Sequence, residues 1–262
     1  MPVIAVANQK GGVGKTATVG ALGAGFHRAG KRVLYIDCDS QCNITMQLGL
    51  SKHEPVTLYD VLEAHRSPLD AIQSTEQGDI IPGSPQLAER DILTRRGAEN
   101  SLQEAIAPVK ESYDYILLDC PPALGSVTIA ALMAADGVVI PCKADRFSMD
   151  ALAEITGTIA TVQEHQRPDL QIYGIIITMF DKRTSAHRLL LEEIQELADS
   201  LQIPVLTPPI RKAIAVEEVQ LGGSIFDSRS RAAEDYQRII DQMLSSTNSG
   251  RTPKKSGKKT KK

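Results

Sequence analysis

A cluster of glycine and lysine residues near the N-terminus is the part of the sequence best suited to chemistry on phosphate groups. Residues 11–16 read Gly-Gly-Val-Gly-Lys-Thr, between a short apolar stretch and a helical pattern. Glycines let the backbone wrap closely so that successive N–H groups point at phosphate oxygens, and a helix that begins there adds its positive end. In such a loop Lys15 reaches the β- and γ-phosphates, and the hydroxyl of Thr16 ligates Mg²⁺.

A second lysine distinguishes this loop from the simplest phosphate-binding pattern, Gly-x-x-x-x-Gly-Lys-Thr. That pattern needs a glycine at position 9, where this chain has Gln9, and Lys10 stands directly before the glycines. The apolar stretch before the loop and the helical pattern after it argue against a chance glycine–lysine segment. We therefore expect ATP as the ligand, with Mg²⁺ as its cofactor.

Three aspartates follow apolar stretches that are typical of strands. Asp37 and Asp39 lie on either side of Cys38, and Asp119 ends the run Tyr-Ile-Leu-Leu-Asp. In phosphate-loop enzymes a carboxylate at the carboxyl end of a strand binds Mg²⁺ directly or through water. A further group must orient the attacking water, and Asp39 is the best-placed residue for that role. Each aspartate taken alone is equally consistent with a helix cap or a solvated loop.

Alternating strand and helix patterns surround these residues. Near-continuous apolar runs, which a sheet covered on both faces requires, predict strands at residues 3–8, 32–37, 80–81, 115–119, 137–141, 172–178 and 204–206. Helical patterns are clearest at residues 16–29, 150–165, 186–201 and 232–244, and Gly30 is expected to end the first of them in a left-handed conformation. The alternation predicts an α/β fold with a doubly wound, mostly parallel sheet.

Charge is unevenly distributed along the 262 residues, whose formal net charge is -3. Residues 245–262 contain six Lys and one Arg and no acidic residue, a charge of +7, so that residues 1–244 carry -10. We expect residues 1–244 to form one phosphate-loop ATPase domain and residues 245–262 to form a disordered basic tail. Trp is absent and only 4% of residues are aromatic, which disfavours base stacking as a way to bind nucleic acid.

Membrane and metal signals are weak. No run of about 18 apolar residues and no signal-peptide pattern is present, so we expect a cytoplasmic protein with no membrane association. Cys38 and Cys42 have a spacing that could ligate a metal, but no second Cys or His pair lies nearby in the sequence, and Cys120 and Cys142 are isolated. Buried free thiols are the favoured interpretation of all four.

These residues resemble the deviant Walker A family, which includes the ParA and Soj partition ATPases and the cell-division regulator MinD. The resemblance covers nearly the whole expected domain. It is carried by Ala-Asn-Gln-Lys-Gly-Gly-Val-Gly-Lys-Thr (7–16), Gly-Lys-Arg-Val-Leu-Tyr-Ile-Asp-Cys-Asp-Ser-Gln-Cys-Asn (30–43), Tyr-Asp-Tyr-Ile-Leu-Leu-Asp-Cys-Pro-Pro (113–122), Ile-Thr-Met-Phe-Asp (177–181) and Ser-Arg-Ala-Ala-Glu-Asp-Tyr (230–236). The combination is specific to the ParA and Soj form of the family.

The resemblance implies a role for each part of the site. Lys10 would be the signature lysine that reaches across a nucleotide sandwich dimer to the partner's ATP, where a second cation stabilises transition-state charge as an arginine finger does. Asp39 would position the hydrolytic water, and Thr16, Asp39 and Asp119 would form the Mg²⁺ site, in which Asp119 supports the ion without binding it directly. The implied nucleotide-binding residues are Gly11, Gly12, Val13, Gly14, Lys15, Thr16 and Ala17 around the phosphates, and Met179, Phe180, Pro209, Ile210 and Arg211 around the adenine.

The resemblance also implies partners. The ATP-bound homodimer would bind non-specific DNA, a ParB-like or other adaptor protein would stimulate hydrolysis, and the protein would be nucleoid-associated. Candidate DNA contacts are Arg211, Lys212, Arg229 and Arg231, with the tail lysines adding charge. Two segments depart from the family pattern, since Ile214 stands where another arginine is usual and Met-Asp-Ala (149–151) replaces a typical Leu-Glu-Gly.

Two alternatives come from other functional classes. A MinD-like ATPase that associates with membranes requires a terminal amphipathic helix with bulky apolar residues, whereas this tail carries only lysines and small polar residues. An iron–sulfur reductase requires cysteines that share a cluster across a dimer, for which Cys120 beside Pro121 is the nearest approach. A sequence-specific repressor is disfavoured because no helix-turn-helix pattern precedes the phosphate loop in this sequence.

Overall fold

A computed structural model describes residues 2–89, 93, 97–219 and 222–248. Its strands are Val3–Val6 (β1), Val33–Asp37 (β2), Gln73–Thr75 (β3), Gly78–Ile81 (β4), Tyr115–Asp119 (β5), Gly137–Lys143 (β6), Gln171–Thr178 (β7) and Val205–Leu206 (β8). Its helices are Lys15–Arg28 (α1), Asn43–Gln47 (α2), Leu58–Glu63 (α3), Pro68–Ala71 (α4), Ser101–Ile106 (α5), Ser126–Ala134 (α6), Phe147–His165 (α7), Ser185–Ser200 (α8), Ile214–Glu218 (α9) and Arg231–Asn248 (α10). Short 3₁₀ turns occupy Pro85–Ala88, Ala98–Asn100, Lys110–Ser112 and Ile225–Asp227.

The strands of the described ranges form one sheet in the order β3-β4-β2-β5-β1-β6-β7-β8. Every pairing is parallel except that of β3 with β4, which is antiparallel. β1 lies at the centre, between β5 and β6, and Asp37 at the end of β2 pairs in register with Asp119 at the end of β5. The loops after β1, β2 and β5 therefore meet at one edge of the sheet, where ligands of open α/β folds bind.

Helices cover both faces of the sheet, which explains the near-continuous apolar strands. On one face, apolar side chains of α3, α5, α6, α7 and α8 pack into a core that includes Leu62, Leu102 and Leu152. On the other face, α1, α2 and α10 form a second core that includes Leu22, Phe26 and Tyr236. The predicted doubly wound α/β fold is confirmed.

Most predicted elements are present with bounds shifted by one to three residues. Gly30 has the expected left-handed backbone, at φ 75°, just after α1. The edge strand β3 was not predicted, because its three residues carry no apolar run. Helix α10 continues to Asn248, beyond the boundary expected at residue 244, so that residues 245–248 belong to the last helix rather than to the tail. The remaining residues of the expected tail, 249–262, lie outside the described residues.

Candidate active site

The loop between β1 and α1 forms a cradle of backbone N–H groups. Gly12 and Gly14 have positive φ angles, 68° and 88°, a conformation that glycine adopts without steric cost. Gly14 is the N-cap of α1, its position offers no side chain to cap the helix, and the first turn contains no acidic residue. The first N–H groups of a 14-residue helix thus lack the usual capping oxygen, and an anion is the ligand that this arrangement favours.

Lys15 lies inside the cradle. It is buried, with 7% of its surface exposed, and its ammonium donates to the backbone oxygen of Lys10 at 3.2 Å. Burial lowers the pKa of Lys15, while the nearby Asp119, Cys120 and Asp39 raise it in part. A buried cation at the floor of an anion-binding loop gains most from a phosphate, because the surrounding dielectric is low.

The carboxylates at the strand ends differ in their hydrogen bonding. Asp37 is fully buried and accepts three hydrogen bonds, from the Thr45 N–H (3.0 Å), the Thr45 hydroxyl (2.6 Å) and the Asp39 N–H (3.1 Å). Burial raises the pKa of Asp37 to about 6, although the bonds from Thr45 and Asp39 oppose the shift. Asp39 is buried and accepts a hydrogen bond from the Gln41 N–H at 3.0 Å. Asp37 is therefore an anchor for the loop that carries Asp39.

Asp119 is a buried carboxylate with few polar contacts inside the chain. It is 1% exposed, and neither of its side-chain oxygens has a hydrogen-bond partner of good geometry among the described residues. Burial and the charge of Asp37 raise its pKa well above the usual range, while the Thr16 hydroxyl and Lys15 stabilise its charged form in part. In enzymes that act on nucleotide phosphates, Mg²⁺ is bound by one or two oxygens of the protein together with the substrate phosphates. The oxygens of Asp119 and Thr16 fit that requirement. The described ranges contain no group of three His, Cys, Asp or Glu side chains able to hold a metal by themselves.

Lys10 has a different place from Lys15. Its ammonium forms an ion pair with Asp145 in the segment between β6 and α7, and it lies 5.4 Å from the centre of the Phe147 ring. Its backbone N–H donates to the side-chain oxygen of Asn8 at 2.9 Å, and the Asn8 amide donates to the Pro141 oxygen at 2.7 Å. Lys10 is thus held by its own chain at the mouth of the cradle, with 24% of its side chain exposed.

The two segments expected around the adenine lie side by side. Met179 follows β7 with a left-handed backbone, at φ 53°, which turns the chain towards the loop after β8. There the Phe180 N–H donates to the Ile210 oxygen at 2.9 Å, and the Lys212 N–H donates to the Phe180 oxygen at 3.0 Å. Phe180 and Ile210 are buried, and Pro209 is half-buried beside them. Their contact with adenine stays a prediction.

The guanidinium of Arg211 is bound by a carboxylate of its own chain. Its guanidinium donates to both carboxylate oxygens of Asp235 in α10, at 2.7 and 2.8 Å, and to the backbone oxygen of Arg231 at 3.0 Å. The Arg211 N–H also donates to Asp235, which is 2% exposed. A DNA phosphate could take this guanidinium only by leaving a buried carboxylate without its cation, so the geometry argues against Arg211 as a DNA contact. Lys212, Arg229 and Arg231 are exposed.

Two other features, the cysteines and a cavity, do not mark the phosphate-binding site. Cys38, Cys42, Cys120 and Cys142 are free and buried, as the sequence indicated. A cavity of about 450 Å³ lies at the amino ends of β2 and β4, opposite the phosphate loop, and none of the predicted site residues lines it. Cavity size therefore does not locate the site in this fold.

Sequence reasoning missed three residues that hold the phosphate loop and its lysines. These are Asn8, Asp145 and Thr178, whose hydroxyl donates to the Val13 oxygen at 2.8 Å. Asn8 stands inside the conspicuous motif, so its position alone was a usable signal. Asp145 lies 135 positions from Lys10, and no local pattern marks it. Thr178 lies within the segment 177–181 that resembles the family, but nothing in that segment pairs it with Val13, 165 positions away.

Comparison with known proteins agrees with this geometry. Residues 1–172 match the AAA_31 family model, described as an AAA domain. The chain is 39% identical to the sporulation initiation inhibitor protein Soj of Bacillus subtilis over 249 residues, 92% of this chain and 97% of that one. It is 32% identical to the chromosome partitioning protein ParA of Myxococcus xanthus over 250 residues, 92% of this chain and 87% of that one.

A solved structure extends the comparison to ligands. Cobyrinic acid a,c-diamide synthase from Mycobacterium smegmatis, with a bound ATP analogue and magnesium, has 34% sequence identity and a TM-score of 0.84, over 96% of this chain and 98% of that one. Fold, phosphate loop and sequence similarity over nine-tenths of the chain lead to one conclusion. The chain belongs to the ParA/Soj family of partition ATPases.

Proposed function

We propose that this chain binds and hydrolyses ATP with Mg²⁺ and uses the nucleotide to switch between a monomer and a DNA-binding sandwich dimer. The dimer would position or segregate a cargo, such as a plasmid, a chromosome origin or a protein complex. An adaptor protein would stimulate hydrolysis and release the dimer from DNA. The relatives named for chromosome partitioning and for Soj support the class of process.

The separate positions of the two lysines carry this proposal. Lys15 is buried within its own phosphate cradle, whereas Lys10 is partly exposed at its mouth and paired with Asp145. One lysine is enough to neutralise the phosphates of a bound nucleotide within a single chain. The second is placed where it could meet a nucleotide held by another copy, and this would make dimerisation depend on the γ-phosphate.

In this proposal, the acidic residues of the site contribute to ATP hydrolysis. Asp39 would orient a water molecule for attack on the γ-phosphate, while the backbone of Gly11, Gly12 and Gly14 would bind phosphate oxygens. Thr16 and Asp119 would hold Mg²⁺, which supplies positive charge next to the phosphates. The carboxylate of Asp119, whose burial is only partly compensated by Thr16 and Lys15, would gain contact with that charge, directly or through water.

Exposed cations near the start of α10 form the proposed DNA surface. Lys212, Arg229 and Arg231 are exposed there, and the Arg211–Arg231 contact joins the loop after β8 to the helix. Arg28 extends the surface, since its guanidinium lies 4.9 Å from the ring centre of Phe226, close in sequence to Arg229. Cations that contact only phosphates bind DNA without sequence preference.

Membrane association is the second candidate, and the packing of α10 disfavours it. The apolar residues Ala232, Tyr236, Ile239 and Ile240 are buried in the core beside α1, and so that face of α10 is already covered. No helix in the described part of the chain is long and apolar enough to span a bilayer.

The testing experiment measures binding to labelled non-specific duplex DNA with ATP, ADP or no nucleotide across a salt series. A variant with the seven tail cations replaced by Gln serves as the comparison. We expect binding only in the presence of ATP. The binding constant should fall steeply as salt rises, and its logarithm should decrease with the logarithm of the salt concentration by about 0.9 for each phosphate contact. The tail variant should show a shallower slope if the tail binds phosphates.

The alternatives lead to different outcomes. Equal binding with ATP and ADP would contradict a nucleotide switch. No DNA binding under any of the three nucleotide conditions would contradict the DNA-bound dimer. Flotation with anionic lipid vesicles would then test membrane association. ATP hydrolysis measured on the same samples separates loss of the enzyme from loss of the DNA surface.

A further inference from the structure

A single side chain from β7 reaches into the phosphate loop. Thr178, the last residue of β7, is 3% exposed, and its hydroxyl donates to the backbone oxygen of Val13 at 2.8 Å. Val13 is fully buried, so this oxygen has no access to bulk water. The bond therefore satisfies a buried carbonyl and joins two segments 165 positions apart in the sequence.

The consequence concerns the peptide unit between Val13 and Gly14. In a planar trans peptide the carbonyl oxygen and the following N–H point in opposite directions. Holding the Val13 oxygen against β7 therefore turns the Gly14 N–H away from Thr178. That N–H has no protein acceptor among the described residues, and it belongs to the uncapped start of α1.

This peptide unit needs an external restraint. Gly14 has φ 88°, and glycine occupies left- and right-handed conformations at similar energy. A peptide next to a glycine can therefore rotate at low cost, and rotation would aim the Val13 oxygen, rather than the Gly14 N–H, at an anion. A carbonyl turned towards phosphate would repel it.

The other branch of Thr178 packs against the same glycine. Its methyl carbon would lie 3.7 Å from a Cβ placed on Gly14, so the methyl group closes the space beside the loop. The next residues, Met179 and Phe180, turn towards Ile210, whose oxygen accepts the Phe180 N–H at 2.9 Å. One end of β7 thus contacts the phosphate loop and the loop expected around the adenine.

We propose that Thr178 is a positioning residue that locks the Val13–Gly14 peptide with its N–H directed at the nucleotide phosphates. The inference rests on the proposed nucleotide site and adds to it a residue outside the Walker A segment. Thr178 acts through the loop backbone and does not itself touch the ligand. The hydroxyl carries the function, and the methyl group contributes packing.

Two substitutions separate these contributions. Thr178→Val keeps the shape of the side chain and removes the donor, whereas Thr178→Ser keeps the donor and removes the methyl group. We expect Thr178→Val to weaken binding of ADP and ATP about tenfold, the effect of losing roughly one hydrogen bond that orients a charged ligand. Thr178→Ser should bind within about twofold of the wild type. Calorimetry with the full-length chain measures both, at a temperature where urea titration shows each variant folded.

Each result decides a separate point. Valine and serine variants that lose affinity equally would show that the methyl group matters as much as the hydroxyl, and would overturn the assignment of the function to the hydroxyl. A valine variant that binds like the wild type would do the same. A wild-type chain that binds neither nucleotide would contradict the proposed function and the inference with it. Weak binding by valine and rescue by serine is the supporting outcome.

Discussion

At the scale of single residues, the site contains carboxylates whose surroundings give them separate roles. Asp37 is fully buried and its three hydrogen-bond donors come from the β2–α2 segment, where it fixes the loop. The Thr45 hydroxyl also accepts the Gly83 N–H at 2.9 Å, so the anchor extends to the segment after β4. Asp37 thus fixes the backbone that carries Asp39, whose carboxylate is buried and accepts one hydrogen bond, from the Gln41 N–H.

Asp37 should leave a signature in the pH dependence of stability. Its pKa is raised to about 6, so between about pH 4 and pH 6 the folded chain binds a proton that the unfolded chain has released. Stability contributed at this position is therefore present at low pH and is lost as pH rises through about 6, by up to about 3 kcal/mol.

The measurement compares urea unfolding of the wild type and Asp37→Asn at several pH values from 4 to 7. We expect the difference in free energy of unfolding, wild type minus variant, to decrease as pH rises. Taking the difference removes the titrating groups that do not interact with Asp37. Asp119, whose pKa is raised by burial and by the charge of Asp37, adds to the difference in the same direction. A difference that is constant or increases with pH would contradict a raised pKa at Asp37.

At the scale of elements, the loop after β8 is tied to α10 by the Arg211–Asp235 pair. The pair is bidentate, and Asp235 is buried beneath the exposed side of the helix. The neighbouring Lys212 points its charge at solvent. The two adjacent cations of this loop thus have different roles. Arg211 stabilises the fold, and Lys212 is exposed and able to contact a partner.

Alanine substitutions should separate these roles. Arg211→Ala leaves Asp235 buried without its cation, so we expect a loss of roughly 2 kcal/mol in the free energy of unfolding. Lys212→Ala should leave stability within about 0.5 kcal/mol and weaken ATP-dependent DNA binding, with a smaller salt slope. Urea denaturation and DNA titration of both variants provide the check. If Arg211→Ala proved as stable as the wild type, the ion pair would not have the structural role assigned here.

At the scale of the whole molecule, the proposed dimer switch depends on where the two lysines are directed. Lys15→Ala should lose affinity for ATP, because the buried cation of the cradle is gone. Lys10→Ala should retain ATP binding within about threefold and fail to dimerise with ATP, because the cation that would reach the second copy is missing. Nucleotide calorimetry and light-scattering mass measurements are the two readouts. Dimerisation of Lys10→Ala with ATP would refute the crossing role.

The ion pair between Lys10 and Asp145 makes a further prediction about this equilibrium. The proposed dimerisation through Lys10 would first have to break this pair, which stabilises the monomer by an amount typical of a partly exposed ion pair. Asp145→Asn should therefore dimerise at about two- to fivefold lower ATP concentration. Asp150→Asn, an exposed carboxylate in the first turn of α7, is the matched control and should behave like the wild type. An unchanged ATP requirement in Asp145→Asn would exclude a restraining role for the pair.

The sequence alone determined the features that depend on neighbours along the chain. The phosphate loop is contiguous from Lys10 to Thr16, and its glycines, lysines and following helix carry their chemistry wherever the segment folds. Apolar runs predicted the strands, because a parallel sheet covered on both faces needs every side chain of a strand to be buried. The end of α10 was placed too early because Ser, Thr and Asn at positions 245–248 have weak helix propensity, and the extension to Asn248 is not visible in a hydrophobic pattern.

Tertiary structure alone decided which distant groups meet. The strand order placed β1 between β5 and β6, with β7 next to β6, and this brings Asp145 to Lys10 and Thr178 to Val13. It also paired Arg211 with Asp235, and this pair argues against the DNA contact that family resemblance implied for Arg211. Hydrogen bonds and ion pairs act over a few ångströms of space, so partners on different elements of the fold are determined by chain topology and leave no periodic signal in the sequence.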